Sequence, residues 1–146
     1  MEDQYVTAAA IISFAEQLED CSATFYEELA GRFAQHKDKF LAFAKDSKKN
    51  KVFIVRTYQE TITDAMEACF SFEGLNLNDY ALEDLSAKGR SDAEGLAMAL
   101  ALEEKAITFY ADVAGRCQSL LGTIPWAFRR VAEARSKRKA QVEVLQ

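Results

Sequence analysis

One phrase of the sequence occurs twice, and it limits the fold more than any other feature. Residues 18–32 read LEDCSATFYEELAGR, and residues 102–116, which lie 84 positions later, read LEEKAITFYADVAGR. When residues 15–32 are aligned with residues 99–116, nine of the eighteen pairs are identical. Glu19 matches Glu103, and Tyr26 matches Tyr110. Such a repeat predicts two copies of one structural unit within the chain.

Apolar residues recur at steps of three and four around both copies, which is typical of helices that bury one face. The pattern predicts a first helix from about Thr7 to Gln35. A second long helix is expected from near Phe40 to beyond Cys69, with Gly74 as the residue that ends it. The connection between the two helices is short, so they should lie antiparallel.

The segment 74–91 is too long for a tight turn and predicts a crossover, with one helical turn at 80–85. Ser91 and Glu94 then form a capping box that starts a third helix. A fourth helix is expected to start near Pro125, because proline is tolerated in a first helical turn. Two helical hairpins joined by one crossover predict an all-α four-helix bundle with ferritin-like connectivity.

Composition agrees with one helical domain over residues 1–146. One proline and six glycines leave little material for the turns of a many-stranded sheet, and a net charge of −5 argues against general nucleic-acid binding. No apolar run approaches the roughly 20 residues that span a bilayer. The acidic start lacks the basic segment of a signal peptide, so we expect a cytoplasmic protein. Cys21, Cys69 and Cys117 are scattered and are expected to be reduced core residues.

Glu19 and Glu103 lie within the apolar stripes of the first and third helices. An ionised carboxylate in a core costs free energy unless it pairs with a cation or binds a metal. Two such carboxylates in equivalent positions of a repeat therefore require a buried partner.

The pattern Glu-x-x-(small)-x-x-Phe-Tyr, written in both copies within a duplicated bundle, resembles the rubrerythrin branch of the ferritin-like superfamily. The resemblance covers nearly the whole chain. It implies a centre in which one glutamate from each of helices one and three, with a Glu-x-x-His motif from each of helices two and four, holds two irons. It also implies pairing into a homodimer, and Trp126, Phe128 and Phe53 are candidates for its seam or for the core.

The second half of that site departs from the family pattern. The frames FLAFAKDSKKN (40–50) and FRRVAEARSKR (128–138) carry Ser47 with Asn50 and Arg135 with Arg138 where Glu-x-x-His is expected. Asp46 and Glu133 are acidic but lie out of register. The only histidine, His36, falls at the first inter-helix connection, and the paired CxxC motifs of a rubredoxin-like domain are absent. This argues against di-iron chemistry.

The substitutions suggest a different partner for the two glutamates. Arginine keeps its charge when buried, and its planar fork binds carboxylates bidentately. We therefore expect a core ion-pair cluster of Glu19, Glu103, Arg135 and Arg138. Additional hydrogen bonds are expected from Ser47, Asn50, Tyr26 and Tyr110. No metal or other cofactor is predicted.

The preferred functional hypothesis is a non-catalytic ferritin-like protein that acts as an interaction or small-anion-binding module. One alternative is a rubrerythrin-type oxidoreductase that binds iron or manganese through Glu19 and Glu103 with other ligands. A second is a binder of nucleic acid or of an acidic partner through basic runs on helices two and four. Those runs are balanced by acids of helices one and three, which favours a solvated surface instead. They comprise Lys37, Lys39, Lys45, Lys48, Lys49, Lys51, Arg129, Arg130, Arg135, Lys137, Arg138 and Lys139.

Overall fold

A computed structural model describes residues 5–61, 71–73, 75–81, 85–86, 90–116 and 123–145. Within these residues the chain forms four long α-helices, and the prediction of an all-α bundle is confirmed at that level. Two three-residue strands pair beside them. The helices are α1 (Ala8–Arg32), α2 (Lys37–Thr61), α3 (Asp92–Arg116) and α4 (Thr123–Leu145).

The start and end of α1 follow from local hydrogen bonds. The Thr7 hydroxyl accepts a hydrogen bond from the backbone N–H of Ala10 at 3.1 Å, as an N-cap residue does. At the other end, the Phe33 N–H donates to the Leu29 carbonyl at 2.9 Å. A single 3₁₀ turn, Ala34–His36, leads into α2. This short connection folds α2 back along α1, as the sequence predicts.

The crossover differs from its prediction in two places. Strand β2 (Ser71–Glu73) pairs antiparallel with β1 (Tyr5–Thr7), so the backbone at 71–73 is extended where the second helix was expected to continue; Gly74 itself lies outside the described residues. A 3₁₀ turn lies at Leu77–Tyr80, before the expected 80–85 segment, and residues 82–84 of that segment lie outside the described residues. Asn76 caps that turn by accepting from the Asn78 N–H at 3.0 Å. Residues 62–70, the expected last part of the second helix, lie outside the described residues.

The start of α3 carries the predicted capping box. The backbone N–H of Ser91 donates to the Glu94 carboxylate at 2.8 Å, and the Glu94 N–H donates to the Ser91 hydroxyl at 3.2 Å. Hydrogen bonds from the backbone N–H and then the side chain of Ser91 to the Glu94 carboxylate lower the pKa of Glu94. One turn further on, a Cβ at Gly95 would lie 2.9 Å from the Leu29 side chain, so the glycine permits close approach of α1 and α3.

The bundle is built from two hairpins. Helix α1 packs most extensively against α2 and α3 against α4, while α2–α4 and α1–α3 contacts join the hairpins. A continuous core runs between them. Its largest fully buried side chains are Arg135, Tyr26, Tyr110, Phe25, Phe40, Phe109, Phe128, Ile11, Leu29, Ile54 and Leu75. The first three of these are polar, and they define the centre of the bundle.

The expectation of a core cysteine is wrong for Cys21, which is exposed and forms no disulfide. Cys21 lies on the outer face of α1, where it lines a small pocket together with Tyr80 and Leu85. Cys69 and Cys117 lie outside the described residues. Of the described helices, none is long and apolar enough to cross a membrane.

Candidate functional site

Arg135 of α4 lies at the centre of the bundle, with its side chain fully buried. Its Nη2 is 2.8 Å from Oε1 of Glu19 on α1, and its Nη1 is 2.8 Å from Oε2 of Glu103 on α3. Both carboxylates are also fully buried. One guanidinium group therefore bridges the two glutamates that the repeat makes equivalent.

The two repeat tyrosines bind these glutamates crosswise. The Tyr26 hydroxyl on α1 donates to Oε2 of Glu103 on α3, and the Tyr110 hydroxyl on α3 donates to Oε2 of Glu19 on α1, each at 2.6 Å. Each copy of the repeated phrase thus supplies the tyrosine for the glutamate of the other copy. A carboxylate accepting from a phenol at this distance forms a strong, charge-assisted hydrogen bond.

Arg138 joins the cluster one helical turn after Arg135. Its Nη1 donates to the Ser47 hydroxyl of α2 at 2.9 Å and lies 3.4 Å from Oε2 of Glu103. The guanidinium carbon is also 5.4 Å from the centre of the Tyr26 ring and 5.5 Å from that of Phe43, within cation–π range. Arg138 therefore links α4 to α2 as well as to α3.

Aromatic rings enclose each tyrosine. Phe40 stacks on Tyr26 with centroids 6.1 Å apart, and its repeat counterpart Phe128 packs edge-on against Tyr110 at 5.4 Å. Phe109 also contacts Tyr110, at 5.0 Å. These rings exclude water from the cluster, and in such surroundings hydrogen bonds and ion pairs are electrostatically stronger than in water.

The cluster is electrically balanced, with two carboxylates facing two guanidinium groups. Burial by itself lowers the pKa of Arg135, but the adjacent carboxylates of Glu103 and Glu19 outweigh burial and raise it above its ordinary value. Burial raises the pKa of Tyr26 and Tyr110 well above 10, and the negative charges of Glu103 and Glu19, respectively, raise them further. The tyrosines are therefore neutral hydrogen-bond donors at physiological pH.

The site includes one residue that sequence reasoning did not assign to it. The Ser22 hydroxyl accepts from Arg135 Nη2 at 2.8 Å and donates to the Leu18 carbonyl at 2.7 Å. Ser22 follows Glu19 by three residues and lies on the same helical face, and this spacing could have predicted its place in the site. The repeat obscured that signal, because the equivalent position in the second copy is Ala106.

Three polar atoms in the described residues are buried without a hydrogen-bond partner: Asn50 Nδ2, Glu103 Oε1 and Arg135 Nε. Ser47 contributes the hydrogen bond expected of it, whereas Asn50 is half-buried and makes no hydrogen bond to the cluster. Among sequence-predicted positions, Glu19, Glu103, Arg135, Arg138, Ser47, Tyr26 and Tyr110 are thus brought together. Asn50 lies beside them.

The remaining candidates lie elsewhere. Asp46 and Glu133 are exposed, and His36 lies in the turn between α1 and α2. Trp126 is 51% exposed, while Phe128 is buried in the core. Three lysines of the basic runs form ion pairs with acids of α1 or α3: Lys48 with Glu27, Lys51 with Asp20 and Lys139 with Glu104.

Comparison of the chain with protein-family models, with curated proteins and with solved structures finds no match. The interpretation of the cluster therefore depends on its own geometry and chemistry.

Proposed function

We propose that the chain is a ferritin-like bundle of the rubrerythrin type in which a Glu/Arg ion-pair cluster replaces the di-iron site. We further propose that it serves as a non-catalytic interaction or small-anion-binding module. The observation that carries this proposal is the fully buried Arg135, 2.8 Å from both Glu19 and Glu103. The guanidinium group supplies the positive charge that these two carboxylates require, in the position where the family would hold metal.

The residues at this centre do not fit a pair of irons. A di-iron site needs carboxylates and imidazoles to balance about four positive charges, whereas Arg135 and Arg138 bring two further positive charges and no lone pair that ligates metal. Ser47 and Asn50 are neutral. In the described part of the chain, no group of three or more His, Cys, Asp or Glu residues is arranged to hold a metal ion.

The crosswise tyrosines support the family assignment in the proposal. Tyr26 reaches Glu103 and Tyr110 reaches Glu19, which is the exchange expected of two hairpins related by a pseudo-twofold axis. Duplicated hairpins with a shared polar centre are the arrangement that ferritin-like metal proteins use. The proposed ancestry is therefore a duplicated metal bundle whose first and third helices keep their glutamates.

Metal loading tests the proposal. The purified native chain is incubated anaerobically with Fe²⁺ and, separately, with Mn²⁺, then desalted and analysed for bound metal. We expect far less than one equivalent. A matched variant restores the family ligands through Ser47→Glu, Asn50→His, Arg135→Glu and Arg138→His, and circular dichroism reports whether it folds. If that variant folds, it should take up metal. Stoichiometric iron or manganese in the native chain would overturn the proposal.

A further inference from the structure

Two adjoining pockets form a groove between α2 and α4, next to the buried cluster. The first has a volume of about 350 Å³ and is lined by Asp46, Lys49, Asn50, Lys137 and Arg138, among others. The second, of about 380 Å³, shares Lys49 and Asn50 with the first. Pockets of this size accommodate small molecules.

Polar donors converge on the first pocket. Asn50 Nδ2 is buried without a hydrogen-bond partner in the described residues, and such an unsatisfied donor costs free energy until a ligand or water accepts from it. Arg138 also lines this pocket. Every hydrogen bond that it makes to the described residues uses Nη1, so its Nε and Nη2 are not committed to those partners. The pocket thus presents an amide donor beside a guanidinium edge.

The charge of the first pocket favours an anion. The cluster behind it is neutral, because Glu19 and Glu103 balance Arg135 and Arg138. Lys49 and Lys137 line the pocket and make no ion pair with the residues that the structure describes, while Asp46 is the single carboxylate in the lining. A bound anion therefore meets a net positive lining and hydrogen-bond donors.

Two aromatic side chains, Phe53 and Trp126, form one wall of the second pocket. Phe53 and Trp126 meet edge to face with ring centroids 5.9 Å apart, and Arg130 lies over the Trp126 ring at 5.3 Å. Half of the Trp126 surface is open to solvent, and the residue lines the second pocket, so its ring is accessible to a ligand there. A planar apolar body can lie against this wall while its anionic group enters the first pocket.

We propose that the α2–α4 groove binds a small aromatic anion, with its carboxylate or phosphate group at Asn50, Lys137 and Arg138 and its ring beside Trp126. This inference develops the small-anion role in the proposed function and depends on that role. Arg138, which is buried but lines the first pocket, and the unpartnered Asn50 amide supply specificity for the anionic group. Trp126 with Phe53 supplies contact area for the ring.

The single tryptophan of the chain reports on binding directly, because Trp126 lines the groove. The native chain is titrated with phenyl phosphate and with benzoate, and neutral benzyl alcohol serves as the ligand control. Fluorescence and calorimetry follow the binding. We expect saturable binding of the anions only, and the stronger of the two identifies a phosphate or a carboxylate ligand. Competition by inorganic phosphate tests the anionic subsite.

Variants then locate the site. Lys137→Ala and Asn50→Ala should each weaken binding by about 5- to 30-fold, as expected for the loss of 1–2 kcal/mol. Lys39→Ala removes an exposed cation from the start of α2 and should leave the affinity unchanged. Equal binding of benzyl alcohol, equal effects of Lys137→Ala and Lys39→Ala, or no saturable binding would each overturn the groove proposal. Metal uptake by the native chain would instead overturn the proposal that the Glu/Arg cluster replaces the metal site. Failure of that proposal can therefore be distinguished from failure of the groove proposal.

Discussion

Arg135 is a charged side chain in a position where a core normally holds an apolar one. Taking a guanidinium and two carboxylates out of water costs several kcal/mol per ion, and their mutual attraction offsets this cost only with close geometry and further hydrogen bonds. The structure supplies both, with 2.8 Å contacts to Glu19 and Glu103 and hydroxyl partners in Ser22, Tyr26 and Tyr110. The cluster is consequently costly to break, although it need not stabilise the fold more than apolar packing would.

Arg135→Met should lower the free energy of unfolding by about 3–5 kcal/mol, because it leaves Glu19 and Glu103 buried beside only one remaining cation. Urea denaturation of the variant and of the native chain measures the difference. If the variant does not fold, the triple variant Arg135→Met, Glu19→Gln, Glu103→Gln should recover the fold, since it removes the stranded charges together.

The matched control is Arg129→Met, which removes an exposed arginine from the same helix. Its effect should stay within about 0.5 kcal/mol, as for most surface substitutions. Equal losses in the two variants would contradict the assignment of Arg135 as the central cation of the core.

The buried tyrosines predict a loss of stability at alkaline pH. Their pKa values in the folded protein lie well above 10, first because of burial and then because of the neighbouring glutamates, whereas the unfolded chain ionises near 10. Below pH 10 both states hold their phenolic protons and this contribution is constant. As the pH rises above 10, the unfolded state loses protons first and stability falls.

The measurement is the free energy of unfolding between neutral pH and the alkaline limit, with phenolate absorbance recorded in parallel. In the folded protein the absorbance of Tyr26 and Tyr110 should appear only together with unfolding. The double variant Tyr26→Phe, Tyr110→Phe should show a shallower decline of stability. An equally steep decline in that variant would assign the effect to other groups.

At the scale of elements, the crosswise pairing joins α1 to α3. These helices belong to different hairpins and make few backbone contacts with one another, apart from the close approach at Gly95. The hydrogen bonds of Tyr26 to Glu103 and of Tyr110 to Glu19 therefore fix how one hairpin sits on the other. We expect the polar centre to specify the relative position of the hairpins more sharply than apolar side chains alone would.

A double-mutant cycle tests this exchange. Tyr26→Phe and Glu103→Gln should couple by about 1–3 kcal/mol, because the two side chains share a buried, charge-assisted hydrogen bond. The coupling of Tyr26→Phe with Glu19→Gln should be less than half as large. Chemical denaturation of the single and double variants supplies both values. A stronger coupling within α1 than across to α3 would contradict the crosswise arrangement.

Helix identity was predictable from the sequence, but several boundaries were not. The apolar period and the Ser91 capping box are local signals, so α1 and the start of α3 lie close to their predicted positions. Strand β2 was missed because its pairing with β1 joins residues about 66 positions apart, which no local pattern encodes. Cys21 was expected in the core because free cysteines are usually buried, and that general tendency does not say which side of a helix a given residue occupies.

At the scale of the whole molecule, charge is distributed in two different ways. The buried cluster is neutral and dry, whereas the surface pairs of Lys48, Lys51 and Lys139 link neighbouring helices in contact with water. These surface pairs neutralise three lysines of the basic runs, which argues against nucleic-acid binding through those runs. The lysines that remain unpaired within the described residues include Lys49 and Lys137 of the groove. Pairing into a homodimer stays a prediction, to be measured by the mass in solution.

Because the ion pairs are either buried or weak and exposed, the free energy of unfolding should depend only weakly on salt. Exposed pairs contribute about 0–1 kcal/mol each, so screening all three at about 1 M salt should change the free energy of unfolding by no more than roughly 3 kcal/mol. The cost of Arg135→Met should persist at high salt, because ions do not reach the buried cluster. Denaturation of both proteins at low and high sodium chloride measures the two effects. Loss of the Arg135→Met effect at high salt would show that the cluster is solvated.

The sequence by itself determined the helical class, the repeated phrase on the first and third helices and the candidate membership of the central cluster. These follow from periodicity and from the repeat, which relate residues through spacing alone. Only the tertiary structure decided the partners: Arg135 between both glutamates, the exchange of tyrosines between copies, the entry of Ser22 and the separation of Asn50 from the cluster. Hydrogen bonds depend on distances of a few tenths of an ångström between side chains of different helices, and spacing along the chain does not carry that information.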